Sequence, residues 1–296
     1  MSSVAEELEH RLALWSEICG PSNDGTLVAR TLNELRVYYG GRGIWVHKER
    51  TISITPEGVT VGVLHTGRSY ADELHEDGIV YHYPRTKRPG TDAAEVEATK
   101  AARRLELPVF VVVQPRSGSR RAAHLGWVTD WDDSDEMFLI RFGESAPASP
   151  PSVSQEDEQP FTLAKELPPK KATLSTPRPG QAQFRFVVLR RYGAACAVCG
   201  LAVPELLDAA HFRANRDNGC DDARNGLPLC KSHHRAMDLG LFRIDPTSSE
   251  ISFAPGGPGA EDLHVTRVSL DHLPNQPHRD ALDWCWRSWK HAGTAT

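Results

Sequence analysis

Two short pairs of potential metal ligands place the strongest constraint on what this 296-residue chain can fold into. Cys196 and Cys199 are separated by two residues, and thirty residues later Cys230 and His233 repeat that spacing. Each pair can present two ligands to one point from a tight turn, and two such pairs complete a tetrahedral zinc shell. A single Cys-x2-Cys pair could instead be a redox motif, but the matching second pair favours zinc. Because the protein would fill all four positions, we predict that this zinc is structural.

The histidine that follows the predicted zinc ligand His233 needs a different role. Successive residues on a helix point about 100° apart, so neighbouring side chains rarely ligate the same metal ion. Asp238 lies four residues after His234 and would share its helical face. We therefore predict that His234 and Asp238 face a second, divalent ion. A surface histidine beside a helix-capping aspartate would produce the same pattern.

The residues between the two metal-binding pairs predict a hairpin. The sequence LLDAAH at 206–211 reads as a strand in which Asp208 and His211 lie on opposite faces. An Asn-Gly turn at Asn225 precedes a second strand-like run, and a helix that carries His234 follows. Strand, loop, strand and helix therefore present histidine, asparagine and histidine in this order.

Residues 184–245 resemble the HNH, or ββα-metal, endonucleases of the zinc-stapled branch. The resemblance rests on the zinc ligands, on the spacing of the two histidines and the asparagine, and on the segments NGLPLC and GLF. It implies that His211 is the general base that activates water, and that Asn225 orients this histidine and fixes the loop. It also implies that His234 and Asp238 bind a catalytic metal.

The third ligand of this catalytic metal departs from the family pattern. Many members carry an acidic or histidine ligand immediately before the general base, where this chain has Ala210. Asp208 lies two residues earlier on the same strand face, so we expect Asp208 to replace that ligand. The oxygen-rich ligand set favours Mg²⁺ or Mn²⁺, and its single histidine also allows Ni²⁺ or Co²⁺.

The N-terminal half is rich in short strand-like runs. They are GIWV (43–46), TISI (51–54), VTVGVL (59–64), GIVYHY (78–83), LPVFVVV (107–113), HLGWVTDW (124–131) and MFLIRF (137–142). Amphipathic helices are predicted at residues 4–19, 26–35 and 92–107. Many strands with few helices indicate an α+β fold built on a curled β-barrel or sandwich.

Residues 67–113 resemble the core of an SRA, or YDG, domain, whose PUA-like curved β-barrel extrudes one nucleotide and holds its base in a pocket. The resemblance rests on a tyrosine–acid cluster, an Asp-Gly before a strand that ends in tyrosines, a polar loop, a helix and the strand LPVFVVV. Such a pocket needs aromatic rings for stacking and an acceptor for an exocyclic amine. The candidates are Tyr70, Asp72, Asp77, Tyr81 and Tyr83. These tyrosines could also be half-buried strand residues with packing roles alone.

Composition separates two domains. Residues 144–180 contain eight of the chain's 21 prolines and almost no aromatic residues, which is typical of an extended linker. We therefore predict a recognition domain at 1–143 and a nuclease domain with a C-terminal helical tail at 181–296.

Charge and hydropathy restrict the partners. The formal net charge is −5, and no stretch approaches the ~18 apolar residues needed to cross a bilayer, so we expect a cytoplasmic protein without a membrane partner. Between residues 181 and 245, nine basic residues outnumber seven acidic ones, and this excess could follow DNA phosphates. The predicted contacts are Arg190, Arg191 and Arg213, although a solvated helix face would explain the arginine pair equally well.

Together these features predict a modification-dependent DNA endonuclease that restricts foreign DNA. One HNH site cuts one strand, so a double-strand break would need a homodimer or two events. Two alternatives remain open. If Ala210 abolishes catalysis, the chain is a zinc-stabilised DNA-binding or regulatory protein. If the first domain has no base pocket, the chain is an HNH nuclease for unmodified DNA or RNA.

Overall fold

The computed structural model describes residues 3–20, 25–67, 73–115, 117–165 and 180–292. The chain divides into two compact units, unit 1 (residues 1–150) and unit 2 (residues 151–296). Both contain helices and strands, which confirms the predicted α+β class. No helix in the described part of the chain is long and apolar enough to span a bilayer.

Unit 1 consists of one large sheet flanked by helices. Its elements are α1 (Val4–Ile18), β1 (Thr26–Val28), α2 (Ala29–Glu34), β2 (Ile44–Val46), α3 (Lys48–Thr51), β3 (Thr60–His65), β4 (Glu73–His75), β5 (Gly78–His82), α4 (Pro89–Arg104), β6 (Val109–Val113), β7 (Arg120–Asp132) and β8 (Met137–Phe142). The strand order is β2-β3-β6-β7-β8-β5-β4, and β1 also pairs with β7. Strands β3 and β6 are parallel, while the other neighbours are antiparallel.

This sheet is open, so the prediction of a closed, curved β-barrel is wrong. Among the described residues, no ladder joins β2 to β4, the two ends of the sheet. Side chains approach one another instead. The hydroxyl of Tyr81 on β5 donates to the carbonyl of Leu64 on β3 over 3.4 Å, and Ile44 and Ile79 share one hydrophobic cluster. The sequence pattern identified most of the strands, but it does not specify whether the end strands come within hydrogen-bonding distance.

Two hydrophobic clusters cover the two faces of the sheet. Val63 and Val111 pack with Ala102 of α4 on one face. Their neighbours Leu64 and Val112 belong to a second cluster on the other face. Because β3 and β6 are buried on both faces, they read as continuous apolar runs rather than alternating ones.

Helix α1 is fixed to the sheet by a buried guanidinium group. Arg11 donates to the carbonyls of Thr60 over 2.7 Å and Pro108 over 2.6 Å. It also pairs with Glu7 at 2.8 Å, and Arg50 pairs with the same carboxylate at 2.5 Å. A buried charge is tolerated when it is paired and hydrogen-bonded in this way. The predicted helix is confirmed, but its buried face includes charged residues.

Two other predicted elements differ from the structure. The predicted strand TISI lies at the end of α3 and in the turn that follows. The hydroxyl of Thr51 donates to the His47 carbonyl and accepts from the Val59 amide, both at 3.0 Å. This β-branched residue therefore stabilises a turn instead of a strand. The helix predicted at residues 26–35 begins only at Ala29. The three residues before Ala29 form β1, which pairs with β7.

Unit 2 is built around a hairpin and a short helix. Its elements are α5 (Val153–Glu158), α6 (Gln181–Tyr192), β9 (Leu207–His211), β10 (Gly226–Cys230), α7 (Lys231–Asp238), β11 (Phe242–Ile244), β12 (Ile251–Phe253) and α8 (Arg279–Ala292). Strands β9 and β10 are antiparallel, and His211 pairs with Gly226. The predicted order of strand, loop, strand and helix is therefore present.

The close approach of α6 to this hairpin explains the glycine after Asn225. A Cβ atom at Gly226 would lie 2.5 Å from the ring of Phe184 and 2.9 Å from Val188. The backbone of Gly226 is extended, with φ −140°. Glycine is required here by packing and not by turn geometry, which differs from the turn predicted from the sequence.

Residues 151–165, which the sequence assigned to the linker, pack within unit 2. Helix α5 begins with a capping box, and two of its acidic side chains pair with Arg191. Further along, Ala164 forms a β-bridge with Gly219. Proline-rich composition does not reveal contacts that a few charged side chains make. The remainder of the predicted linker includes residues 166–179, which lie outside the described residues.

Candidate zinc centre and nuclease site

Four side chains converge where the two metal-binding pairs meet. Their ligand atoms all lie within 4.8 Å of one another, and the residues are Cys196, Cys199, Cys230 and His233. The Nδ1 atom of His233 is 3.1 Å from the Sγ atom of Cys230 and 3.6 Å from that of Cys196. The structure thus brings together all four residues that were predicted to bind structural zinc.

Local backbone geometry places these ligands. Gly200 has a φ of +74° and donates its amide across the first turn, which closes around the Cys-x2-Cys pair. The amide of Ala197 donates to the carbonyl of Pro228, which joins this turn to β10. Cys230 ends β10 and caps the N-terminus of α7, so His233 follows within the first helical turn.

The chemistry of the cluster fits a zinc ion. The Nε2 atom of His233 lies 2.8 Å from the Leu263 carbonyl, which holds the ring proton there and leaves Nδ1 free to bind metal. Burial by itself raises the pKa of the Cys196 thiol, but interactions with His233 and with backbone amides outweigh it and lower that pKa. A lowered pKa favours the thiolate, which is the ligand form of cysteine. Burial raises the pKa of the Cys199 and Cys230 thiols, so these two favour the thiol until a metal ion binds.

The side chain of His234 has different partners from that of His233. Its Nδ1 atom is 3.0 Å from the Oδ2 atom of Asp208 on β9, and its Nε2 atom is 4.0 Å from that of Asp238. The structure therefore gathers the three residues predicted to bind the catalytic metal. Their role as metal ligands stays a prediction.

This second cluster is more open than the zinc centre. Among the described residues, only the cysteine–histidine cluster brings three or more potential ligand atoms within 4.8 Å of one another. The hydrogen bond between His234 and Asp208 lowers the pKa of Asp208 and raises that of His234. Two carboxylates and one imidazole match the ligands that Mn²⁺ and similar ions accept. Asp208 and Asp238 meet different ring nitrogens of His234, so a carboxylate or the ring must turn before all three residues can bind the same ion.

His211, at the end of β9, is held on two sides. Its Nε2 atom lies 3.1 Å from the Oδ1 atom of Asp221. Its ring stacks on Phe184, with centroids 3.6 Å apart and planes 9° from parallel. A proton on Nε2 that points to a carboxylate leaves the lone pair on Nδ1, which is the state that a general base needs.

Asp221 is a candidate functional residue that the sequence reasoning missed. Its carboxylate also accepts hydrogen bonds from Lys165 and Asn215. Burial by itself raises the pKa of Asp221, but the hydrogen bonds from these side chains and from His211 outweigh it and lower that pKa. Asp221 lies in an irregular loop, so no strand or helix period pointed to it; the adjacent acids at 221 and 222 were the available signal.

Asn225 fixes the loop between β9 and β10. Its buried side chain accepts from the Arg213 amide at 3.0 Å and donates to the carbonyls of Arg213 at 3.0 Å and Cys220 at 2.8 Å. This placement suits the predicted role in holding the loop. Among the described contacts, Asn225 makes no hydrogen bond to His211, whose Nε2 atom is held by Asp221 instead.

The structure does not support Arg191 as a DNA contact. Its side chain is 4% exposed and pairs with Asp157 at 2.8 Å. A buried guanidinium group with internal partners cannot reach a phosphate. The pattern of the amphipathic helix did not show that α5 would cover this arginine.

The other two predicted DNA contacts are only partly buried. Arg190 donates to the Pro151 carbonyl and lies 5.2 Å from the ring of Phe186. Arg213 donates to the Asp217 carbonyl and lies 5.5 Å from the ring of Trp284 in α8. Their contact with DNA stays a prediction.

Unit 1 contains a cavity of about 480 Å³ between the loop before β2 and strand β5. The polar and aromatic side chains in its lining are Tyr39, Arg42, Thr66, Tyr81, His82, Thr86, Arg88 and Glu95. Gly40 and Gly41, both with positive φ, bring bare backbone to its edge. Burial raises the pKa of the Glu95 carboxyl, and Asp92 adds to that shift. The cavity therefore combines aromatic rings with a carboxylate.

The predicted base pocket overlaps this cavity at Tyr81. Tyr83 faces the same side of β5 but is buried elsewhere, where its hydroxyl donates to Asp133 at 2.9 Å. Neither Tyr83 nor Asp77 is among the lining residues. Tyr70 and Asp72 lie outside the described residues.

The sequence reasoning missed Tyr39 and Glu95 in this lining. The glycine-rich stretch YYGGRG, which begins at Tyr38, was the available signal for a loop beside a ligand.

Comparison with known proteins identifies the catalytic class of unit 2. Residues 196–245 match the family model described as HNH endonuclease. These residues include the zinc cluster, the hairpin and α7, so the chain contains an HNH endonuclease domain and is a nuclease. The HNH domain implies a divalent metal. No curated protein sequence matches this chain significantly.

Several solved structures show distant similarity. The modification-dependent TagI restriction endonuclease is 16% identical, with a TM-score of 0.36 over 90% of this chain and 93% of that chain. The SUVH5 SRA domain in complex with hemi-methylated CG DNA is 18% identical, with a TM-score of 0.30 over 42% of this chain and 89% of that chain. The type IV phosphorothioation-dependent restriction endonuclease ScoMcrA is 14% identical, with a TM-score of 0.27 over 79% of this chain and 59% of that chain.

Proposed function

We propose that this protein is a modification-dependent DNA endonuclease, in which unit 1 detects a modified base in duplex DNA and the HNH domain cuts the DNA. The observation that carries the proposal is the set of partners around the β9–β10 hairpin: His211 with Asp221 and Asp208 with His234. The recognition step is supported by the cavity of unit 1 and by the resemblance of residues 67–113 to SRA domains. Restriction of foreign modified DNA is the biological role that follows.

His211 is the general base in this proposal. Hydrolysis of a phosphodiester requires a water molecule to lose a proton as it attacks phosphorus. The Nδ1 atom of His211 takes this proton, while its Nε2–H remains hydrogen-bonded to Asp221. The carboxylate stabilises the imidazolium that forms, and stacking on Phe184 keeps the ring from rotating. General-base catalysis of this kind contributes about 10²- to 10⁴-fold.

Asp208, His234 and Asp238 would hold the catalytic divalent ion, with Mg²⁺ or Mn²⁺ as the expected metals. When bound, such an ion neutralises charge on the phosphate and stabilises the leaving 3′ oxygen. Among these residues, Asp208 takes the position that Ala210 leaves without a ligand. Because Asp208 can supply the ligand that Ala210 cannot, an active nuclease is favoured over the inactive DNA-binding alternative.

Unit 1 would receive the modified base after it has flipped out of the duplex. Aromatic rings stack on a flipped base, and hydrogen-bond acceptors read its exocyclic amine. Tyr39 supplies an exposed ring at the cavity and Glu95 supplies the acceptor, while Tyr81, which is 2% exposed, forms part of the cavity wall. Arg42 and Arg88 lie at the same cavity and are placed to contact the flanking phosphates.

The proposal is tested with plasmids of one sequence that differ only in a single base or backbone modification. They carry unmodified cytosine, 5-methylcytosine, 5-hydroxymethylcytosine, glucosylated cytosine, N6-methyladenine or phosphorothioate linkages. We expect cleavage of at least one modified plasmid in Mg²⁺ or Mn²⁺, weak cleavage of the unmodified plasmid, and no cleavage by the His211→Ala variant.

Each alternative gives a different result in this experiment. Equal cleavage of every plasmid would remove the dependence on modification but keep the nuclease. DNA binding without cleavage in any metal would favour a zinc-stabilised DNA-binding protein. Cleavage of RNA in preference to all plasmids would identify an RNA-directed HNH nuclease.

A further inference from the structure

A short segment ahead of the HNH domain docks on the loop that carries Asp221. The Lys165 amide donates to the Asn218 carbonyl at 3.0 Å, and the Asn218 side chain donates back to the Lys165 carbonyl at 2.9 Å. The Cys220 amide donates to the Leu163 carbonyl at 2.9 Å. Residues 163–165 therefore add a short strand to this loop, outside the segment that matches the HNH family model.

The side chain of this added segment reaches the partner of the catalytic histidine. The Lys165 ammonium group donates to the Oδ2 atom of Asp221 and, at 2.8 Å, to the Oδ1 atom of Asn215. The Asn215 amide in turn donates to the Oδ1 atom of Asp221 at 3.0 Å. Both oxygens of the Asp221 carboxylate are thus held, and Oδ1 also faces His211.

The N-terminus of α6 also lies next to this carboxylate. A Cβ atom at Gly180 would lie 2.9 Å from the Oδ2 atom of Asp221. Gly180 is the N-cap of α6, the helix whose Phe184 stacks on His211. The start of α6 and the segment that ends at Lys165 therefore approach the same carboxylate oxygen.

We propose that Lys165 is a positioning residue for the general base: it fixes Asp221, and Asp221 holds His211 in the tautomer that has its lone pair on Nδ1. This inference rests on the proposed role of His211. It makes residues 163–165 part of the functional site, although composition assigned them to a linker.

The physical reason is the geometry of a two-oxygen acceptor. A carboxylate held on one oxygen alone can rotate about its Cβ–Cγ bond, and its distance to the imidazole then varies. Hydrogen bonds to charged groups are among the strongest in proteins, so the loss of one is enough to free such a rotation. A histidine without a fixed acceptor at Nε2 divides its proton between the two ring nitrogens, and only one tautomer can accept a proton from water at Nδ1.

The test compares four full-length variants with the wild type. Lys165→Met removes the hydrogen bonds, Lys165→Arg restores a donor of the same charge, and Asp221→Asn weakens the acceptor directly. Arg287→Met is the matched control, because it removes one positive charge from a side chain in unit 2 that is 76% exposed. The assay measures kcat and KM for nicking of supercoiled plasmid that contains 5-methylcytosine or 5-hydroxymethylcytosine, whichever is cut, in Mn²⁺. The ¹⁵N shifts of the His211 ring, recorded in protein that keeps its structural zinc but has no added Mg²⁺ or Mn²⁺, report its tautomer without turnover.

We expect Lys165→Met to lower kcat by about 10- to 100-fold, the range typical of residues that orient a catalytic group, with KM changed less than about twofold. Its ¹⁵N shifts should show a mixture of tautomers, whereas Lys165→Arg and Arg287→Met should resemble the wild type. Should Lys165→Met fail to fold, Asp221→Asn provides the same two readouts.

Other outcomes would overturn the inference. A raised KM with unchanged kcat would make Lys165 a phosphate contact instead. Wild-type kcat and a single Nε2–H tautomer in Lys165→Met would show that Asp221 needs no support. If His211→Ala retains activity, the proposed function fails, whereas an inactive His211→Ala beside a fully active Lys165→Met removes this inference alone.

Discussion

The two candidate sites of this molecule are built in different ways. In unit 2, the zinc ligands and the two catalytic histidines lie within 39 residues, between Cys196 and His234, and local turns and one hairpin place them. In unit 1, the cavity takes its lining from a glycine-rich loop, strands β2, β3 and β5, the loop after β5 and the first half of α4, between Tyr39 and Glu95. A site fixed by close ligands tolerates little change in its backbone. The cavity depends instead on contacts among elements that lie far apart in the sequence.

The adjacent histidines of α7 show this contrast on a smaller scale. His233 is buried and has two thiol sulfurs within 3.6 Å of its Nδ1 atom. His234 is 29% exposed and meets carboxylates that are themselves partly solvated. The cluster around His233 is part of the buried interior of unit 2, whereas the cluster around His234 is accessible to a substrate. Removing a zinc ligand should therefore unfold unit 2. Removing a residue of the cluster around His234 should only inactivate the nuclease.

The largest expected effect follows from removing a zinc ligand. Cys230→Ala should abolish zinc binding and unfold unit 2, because structural zinc contributes an apparent ~10–16 kcal/mol, as much as the whole stability of many domains. Zinc content per chain and the thermal unfolding curve of the full-length protein measure this. The transition of unit 1 should persist. Cys285→Ala, a buried cysteine outside the cluster, is the matched control. A variant that keeps one zinc and both transitions would remove the contrast between the two histidines.

Catalysis should respond without unfolding when the general base is removed. His211→Ala should lower kcat by about 10²- to 10⁴-fold and leave zinc content and DNA affinity close to the wild type. Plasmid nicking, zinc analysis and a binding assay together test this separation. His272→Ala, which changes an exposed histidine of unit 2, should retain activity. Loss of zinc in His211→Ala would mean that the two sites are not independent.

The sequence predicted the nuclease site better than the cavity for a physical reason. Metal ligands such as Cys199 and His233 must follow fixed short spacings, so the pattern itself carries the geometry. Asp221 reaches His211 from an irregular loop, and Lys165 comes from a proline-rich stretch, so neither follows a period. The cavity residues Tyr39 and Glu95 meet only through the curl of the sheet, which depends on pairing between strands distant in sequence.

A smaller effect should mark the cavity of unit 1. Glu95→Gln should weaken recognition of the modified plasmid by about 10- to 100-fold, since a hydrogen bond to a charged acceptor contributes about 1.5–3 kcal/mol. Cleavage of the unmodified plasmid should not change. Competition binding with modified and unmodified duplexes measures the difference. Glu97→Gln on the same helix is the matched control, because its side chain is 45% exposed and pairs with Lys100 and Arg104. Equal losses for both variants, or for both duplexes, would exclude Glu95 as the base acceptor.

The smallest expected effect is a pH dependence of the stability of unit 2 that unit 1 does not share. Burial raises the pKa of Glu156 in α5 from 4.5 to about 7, with a further contribution from Asp222. Between these values the folded state binds the extra proton, so the free energy of unfolding is highest below pH 4.5 and falls as pH rises through about 7. Glu156→Gln stays neutral and should flatten this fall by about 1 kcal/mol, after allowance for solvent screening. The Tm of each transition between pH 5 and 8 measures it, and Glu158→Gln, an exposed residue of the same helix, is the control. If the wild type and Glu156→Gln lose stability in parallel, Glu156 is already ionised in folded unit 2 and Arg191 outweighs its burial.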